Sequence, residues 1–213
     1  MSYSWLRLRR ISPGGVDRRR LLLRGVLGLG GLACFFTAVT RLPLAEVTVI
    51  HYLNPLFTAL LAALLLGEAM GAVLWVVLAL GIFGTLLVAQ PAQLLAGTGS
   101  LDPIGLACAL GGALFSAGAY TTVRRLARTD NPHVIVFYFP VVAVPATLPF
   151  AVRAWVWPTP RGWLLMLAIG VATQLAQVAL TRGLALVPAG RGTATGYVQI
   201  VFAAFWGLII FGE

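Results

Sequence analysis

The chain has 213 residues, of which 60% are hydrophobic and only 10% charged, with a formal net charge of +9. A soluble domain carries about 25% charged residues, so too little polar side chain is present to cover a water-facing surface, and the apolar solvent must be lipid. All 15 basic residues are arginines at the ends of apolar runs, not a stripe interleaved with aromatics, which argues against nucleic acid as a partner.

Residues 1–24 form a basic segment holding Arg7, Arg9, Arg10, Arg18, Arg19, Arg20 and Arg24, broken by Ser12-Pro13-Gly14-Gly15. Seven apolar stretches follow, at roughly 22–40, 45–66, 72–90, 104–123, 133–152, 162–182 and 192–211. Each is about 20 residues, close to 30 Å as a helix, which matches the hydrocarbon core. This predicts an all-α integral membrane protein, a polytopic helix bundle. Turn chemistry separates the stretches: Arg41-Leu42-Pro43, Gly67-Glu68-Ala69-Met70-Gly71, Gly97-Thr98-Gly99-Ser100, Asn131-Pro132, Trp157-Pro158-Thr159-Pro160 and Val187-Pro188-Ala189-Gly190. Arg18-Arg19-Arg20 before an apolar run also looks like an export signal. Six more spans follow and no small-residue cleavage site stands out, so a membrane span is expected there.

With the N-terminus in the cytoplasm, the cytoplasmic connections hold Arg7 to Arg24, Arg124, Arg125, Arg128, Arg182 and Arg191. The far side holds only Arg41, Arg153 and Arg161. The positive-inside rule selects this orientation. Trp155, Trp157 and Trp163 cluster at one boundary as an interfacial belt would. Cys34 and Cys108 lie in separate apolar runs and read as small core residues. No Cys/His spacing suggests a metal and no motif suggests a cofactor.

The chain repeats itself. Residues 24–68 slide by 145 positions onto 169–213 without a gap. Gly25 meets Gly170, Pro43 meets Pro188, Thr48 meets Thr193, Tyr52 meets Tyr197, Phe57 meets Phe202, and Gly67-Glu68 meets Gly212-Glu213. The second span corresponds to the seventh, so the period is five helices. Five is odd, so the copies enter the membrane from opposite sides, an arrangement found in secondary transporters.

The run from Pro43-Leu44-Ala45-Glu46 through Leu53-Asn54-Pro55-Leu56-Phe57 to Leu65-Leu66-Gly67-Glu68 resembles the second half of an EamA domain, which defines the drug/metabolite transporter (DMT) superfamily. The second copy, from Val187-Pro188-Ala189 to Phe211-Gly212-Glu213, is similar, with Ile200 where the central proline is expected. The resemblance covers nearly all the chain after residue 20. It implies ten helices in two inverted five-helix repeats. The seven spans would then be helices three to nine, and the chain is expected to be a piece of a ten-helix protein. Residues 1–92 would be a first repeat lacking its first two helices. Residues 101–213 would be a second repeat lacking its last.

Polar groups inside a bilayer are costly and tend to be functional, and transporter substrates bind near the midplane. The second span offers His51, Tyr52, Asn54 and Pro55, whose missing N–H frees a carbonyl. His51, Asn54, Pro55 and Thr58 share a face by helical spacing. The fourth span offers Tyr120, the sixth Gln174 and Gln177, the seventh Tyr197 and Gln199. These are the substrate-cavity candidates, weighed against plain helix-to-helix hydrogen bonding. Gly192 and Gly196 suit close helix packing. Glu68 and Glu213 end corresponding helices and read as structural. No carboxylate is expected buried in a span for proton coupling.

There is no HExxH, no GxSxG and no paired intramembrane carboxylate, so an enzyme is not expected. A retinal receptor needs a lysine, and the chain has none. The reading is a secondary transporter of small metabolites or drugs, an exporter or exchanger working by alternating access, in a bacterial inner membrane. The alternatives are a non-transporting fragment or auxiliary membrane protein, or a seven-helix receptor without retinal. The implied partners are the lipid bilayer and a small-molecule substrate, with room for a homodimer. A cavity free of arginine would disfavour strongly anionic substrates, and where Arg182 points decides that.

Overall fold

Prolines set most of the helix starts. The structure, a computed structural model, describes residues 14–89, 102–206 and Ile209. The arginines at 7, 9 and 10, the Gly97–Ser100 break and the closing Gly212-Glu213 lie outside the described residues. The helices are α1 (Arg18–Val39), α2 (Leu44–His51), α3 (Asn54–Leu66), α4 (Ala72–Ala89), α5 (Pro103–Leu126), α6 (Pro132–Arg153), α7 (Pro160–Leu186), α8 (Ala189–Ala194) and α9 (Val198–Trp206), with a 3-10 turn at Thr195–Tyr197 before α9. No strand occurs among the described residues. Helices satisfy every backbone group internally, as lipid demands. Pro103, Pro132 and Pro160 open their helices, where a missing N–H costs nothing. The caps beside them are polar: the Asn131 side chain accepts from the His133 N–H at 3.0 Å, and the Thr159 hydroxyl from that of Gly162 at 3.2 Å.

Five segments are long and apolar enough to cross a membrane: Arg18–Val39, Leu44–Leu66, Pro103–Leu126, Pro132–Arg153 and Pro160–Leu186. Ala72–Leu87 is a shorter apolar helix. The stretch expected at 192–211 is helical through Trp206, in pieces.

The chain divides into two compact units, Met1–Leu29 with Thr122–Leu186, and Gly30–Thr121 with Val187–Glu213. In the first, α6 packs along α7. The start of α1 is tied to α6 by Val16, whose N–H donates to Asp130 at 2.6 Å, and by Tyr138, whose hydroxyl donates to the Gly14 carbonyl at 3.1 Å. Gly15 turns at φ +60°, where a Cβ would strike Leu21 and Asp130. Arg124 donates to the Leu184 and Ala185 carbonyls, each at 2.9 Å, satisfying the C-terminal end of α7. Pro140, Pro145 and Pro149 lie inside α6, each removing one helical hydrogen bond.

In the second unit, Ala38, Leu42, Val47, Ile50 and Ala109 form one core cluster, and Ala59, Leu74, Leu78 and Ala194 another. Both are rich in small residues, which lets helix backbones approach where no hydrophobic effect drives them together. α3 lies close against α8: a Cβ on Gly190 would come within 2.7 Å of the Ala59 Cβ. Gly190 is therefore a close-packing glycine, as are Gly31 and Gly112, where α1 and α5 meet. The expected Gly196 has open space where a side chain would go. Gly67 ends α3 at φ +67°, letting the Glu68 N–H return to the Ala62 carbonyl at 3.2 Å. The Glu68 carboxylate then accepts from the Ala189 N–H at 2.7 Å, closing the start of α8. Arg41 and Asp102 form an ion pair at 3.2 Å, and Asp102 also accepts from the Gly105 N–H at 3.1 Å. The bond from Arg41 holds the Asp102 carboxyl below its ordinary value.

Candidate functional site

The second apolar stretch reads as one continuous span, yet its helix breaks. α2 ends at His51, Tyr52 and Leu53 form a turn, and α3 resumes at Asn54. Pro55 is the cause: it has no N–H for the His51 carbonyl, and its ring crowds that carbonyl. The Leu53 N–H bonds instead to Ile50 at 3.1 Å. Half-helices inside a span place backbone polar groups at membrane depth, which is tolerated only against protein or a cavity.

Tyr197 fills part of that need. Its hydroxyl donates to the Tyr52 carbonyl at 2.9 Å, and the two rings stack with centroids 5.9 Å apart and planes at 25°. The Gln199 side chain lies near the Tyr52 hydroxyl. Gly81 on α4 makes room for the Tyr197 ring, since a Cβ there would lie 2.3 Å from it. Beside Tyr197, α4 and α8–α9 border an apolar groove of about 660 Å³, with Arg191 and Thr195 as further polar groups on its wall.

Tyr197 itself lies in a second break, the 3-10 turn between α8 and α9. Ile200 stands where proline was expected, so the sequence carried no strong signal for this break. The local cause is Gly192 and Gly196, poor helix formers, together with Thr195, whose hydroxyl bonds back to the Gly192 carbonyl at 2.7 Å. Pro43 and Pro188 cap α2 and α8 with closely matching angles, φ −55°, ψ 144° and φ −51°, ψ 144°.

The structure thus brings Tyr52, Tyr197 and Gln199 together. His51, just before the break, lies edge-on to Phe35 at 5.0 Å, and its buried Nδ1 has no hydrogen-bond partner among the described residues. Asn54 is half-buried at the start of α3 and Pro55 is buried beside it. Thr58 is wholly buried and bonds to the Asn54 carbonyl at 2.8 Å. Tyr120 is half-buried on α5. Gln174 is half-buried on α7, in the other unit.

Gln177, also on α7, accepts at 3.1 Å from Arg24. Arg24 was expected in the cytoplasmic basic segment. It instead lies within α1 and is only 6% exposed, with its guanidinium 5.2 Å from the centroid of the Phe139 ring. The sequence signal was ambiguous, because an arginine run leads into the span without a break. Arg182 points elsewhere, to His133 at 3.2 Å in an exposed setting. A second correction concerns carboxylates: Glu46, in the first turn of α2, is 2% exposed. The positive end of the helix dipole favours an acid at that position.

The EamA-like transporter family pattern matches residues 2–90 and 103–213. The chain is 37% identical over 195 residues to the pseudopaline exporter of Pseudomonas aeruginosa, covering 91% of this chain and 66% of that protein. It is 27% identical over 193 residues to the riboflavin transporter of Vibrio cholerae, covering 90% and 63%. A solved crystal structure superposes with a TM-score of 0.82 at 21% identity, covering 98% of this chain and 73% of that one. The chain therefore spans just under two thirds of the length of these two relatives. On these grounds it is a multi-pass membrane protein of the EamA-like transporter family, within the drug/metabolite transporter superfamily.

Proposed function

We propose that this chain carries the substrate-handling core of a secondary transporter of small metabolites in a bacterial inner membrane, working by alternating access and not as an enzyme. The observation that carries the reading is the helix break at Tyr52–Leu53, where an apolar span places a backbone carbonyl, two stacked tyrosines and Gln199 together. Transporters of this kind bind substrate at discontinuous helices. The buried Nδ1 of His51 supports the same reading. A buried polar atom without a partner calls for an explanation, and a substrate hydrogen bond supplies one. The matched cap geometry at Pro43 and Pro188, and the matched breaks at Tyr52 and Tyr197, support the inverted repeat at 1–92 and 101–213. Inverted repeats favour two mirror-related packings and hence two access states. The arginine distribution supports a cytoplasmic N-terminus. The relatives named above support small metabolites as cargo.

Reconstitution tests this. Purified chain in liposomes, filled with a bacterial small-metabolite extract, is followed by mass spectrometry of the outside medium. Saturable, ATP-independent release of at least one metabolite is expected, slowed by Tyr197→Ala and His51→Ala. Release equal to that from protein-free liposomes would overturn the reading.

A further inference from the structure

The groove between α4 and α8–α9 runs inward from a membrane boundary. The span Leu44–Leu66 ends two residues before Glu68, and the Glu68 carboxylate accepts from the Ala189 N–H at 2.7 Å. The start of α8 is therefore level with the end of that span, and α4 leaves the same turn at Ala72. Val73 and Arg191 mark the boundary end of the groove, and Gly84 and Val201 its deep end. From Val73 to Gly84 the helix rises about 16 Å. That is close to half of the roughly 30 Å hydrocarbon core, or one leaflet.

The wall is apolar along this length and charged at one end. Val73, Leu80, Val198 and Val201 are exposed on it. On the floor the Tyr197 ring covers Gly81, while Gly84, three residues on, has open space where a side chain would go. Arg191 is exposed, and its side chain makes no hydrogen bond or ion pair among the described residues. No acid lines the groove among those residues. A second copy docked on the same face would bring a second Arg191 and no acid to meet it. A ligand that matches the groove joins an anionic head at the boundary to a hydrocarbon tail one leaflet long.

We propose that this groove is a binding site for one anionic phospholipid, its phosphate on Arg191 and its acyl chain lying along α4 past the Tyr197 ring to Gly84. With the N-terminus in the cytoplasm, the lipid belongs to the cytoplasmic leaflet, where basic residues beside membrane helices attract anionic headgroups. The guanidinium fork fits two phosphate oxygens at once. The bound chain covers the outer side of the Tyr197 ring and so supports the α8–α9 break. The site goes beyond the transporter reading and stands without it, since it needs only a chain that spans a membrane.

The test uses the full chain in two assays. In the first, protein in non-ionic detergent is titrated with phosphatidylglycerol or with phosphatidylcholine of the same acyl chains, and bound lipid is counted by native mass spectrometry. Wild type prefers the first phosphatidylglycerol by about fivefold, the worth of one basic residue at an anionic surface, and the preference shrinks as salt is raised. Arg191→Gln removes the preference and Arg191→Lys keeps part of it. Arg125→Gln, which removes an exposed arginine that does not line the groove, leaves it unchanged. In the second, phosphatidylglycerol with a photoreactive group midway along one acyl chain is held in phosphatidylcholine vesicles with the protein, and labelled peptides are mapped. Label falls on α4 and α9. Gly84→Leu, which fills open space and remains folded by circular dichroism, loses most of it. Equal affinity for the two lipids, full preference in Arg191→Gln, an equal loss in Arg125→Gln, label confined to other helices, or undiminished label in Gly84→Leu would each overturn the proposal. Cross-linking of two copies through this face would overturn it as well, and would assign the groove to a dimer.

Discussion

Replacing Tyr197 by Phe removes one hydroxyl and leaves the ring, so it isolates the bond to the Tyr52 carbonyl. A typical protein hydrogen bond contributes about 0.5–1.5 kcal/mol net. Interhelical bonds within membranes average about 0.6 kcal/mol. Tyr197 is half-buried and the bond is well formed at 2.9 Å, so Tyr197→Phe is expected to cost about 0.6–1 kcal/mol. Tyr197→Leu also removes the stacked pair, worth about another 0.5–1.5 kcal/mol. The geometry makes an asymmetric prediction. Tyr197 bonds to the main chain of Tyr52, so Tyr52→Phe keeps that bond and loses only the contact with exposed Gln199. Its cost should be a few tenths of a kcal/mol at most. The assay is reversible unfolding in mixed micelles with rising dodecyl sulfate, followed by tryptophan fluorescence. If Tyr52→Phe costs as much as Tyr197→Phe, or if Tyr197→Phe is neutral, the pairing described here is wrong.

Three further outcomes are expected. Gly81→Ala drives a methyl group into the Tyr197 ring, so it should cost about 1–3 kcal/mol by the same unfolding assay, and Gly84→Ala, with open space at the same point on α4, should cost less than 1 kcal/mol. Glu68→Ala leaves the Ala189 N–H without its carboxylate and should cost about 1.5–3 kcal/mol, whereas Glu68→Gln, which keeps an acceptor, should recover at least half, read as the unfolding midpoint of each variant. Asp102 titrates below its ordinary value because Arg41 bonds to it. A depressed carboxyl contributes stability that is present above the unfolded value and is lost as pH falls through the folded one. Asp102→Asn should therefore lower the unfolding midpoint at pH 7 and leave it unchanged under acid conditions where Asp102 is protonated. A difference that persists in acid would assign the effect to another cause.

Much of this protein is legible before any coordinates are seen. Seven apolar runs with arginines at their ends specify a membrane helix bundle, because lipid leaves the backbone no other way to satisfy its polar groups. Pro103, Pro132 and Pro160 mark helix starts, since a ring that removes an N–H fits only where that N–H had no partner. Pro55 announces a weak point in the second span, and the order Pro43, Asn54-Pro55, Gly67-Glu68 carries the family. Glu46 and Arg24 were misread because both lie near the ends of spans, where sequence cannot separate a side chain reaching water from one turned inward. Only the tertiary structure decides that Tyr197 meets the Tyr52 carbonyl from 145 residues away, that Glu68 caps α8, and that Arg24 turns to Gln177 and Phe139. The physical reason lies in the solvent. In water, an apolar stripe reveals which face of a helix looks inward. In lipid, the inward and outward faces are alike in hydrophobicity, so periodicity falls silent and packing alone chooses the partners.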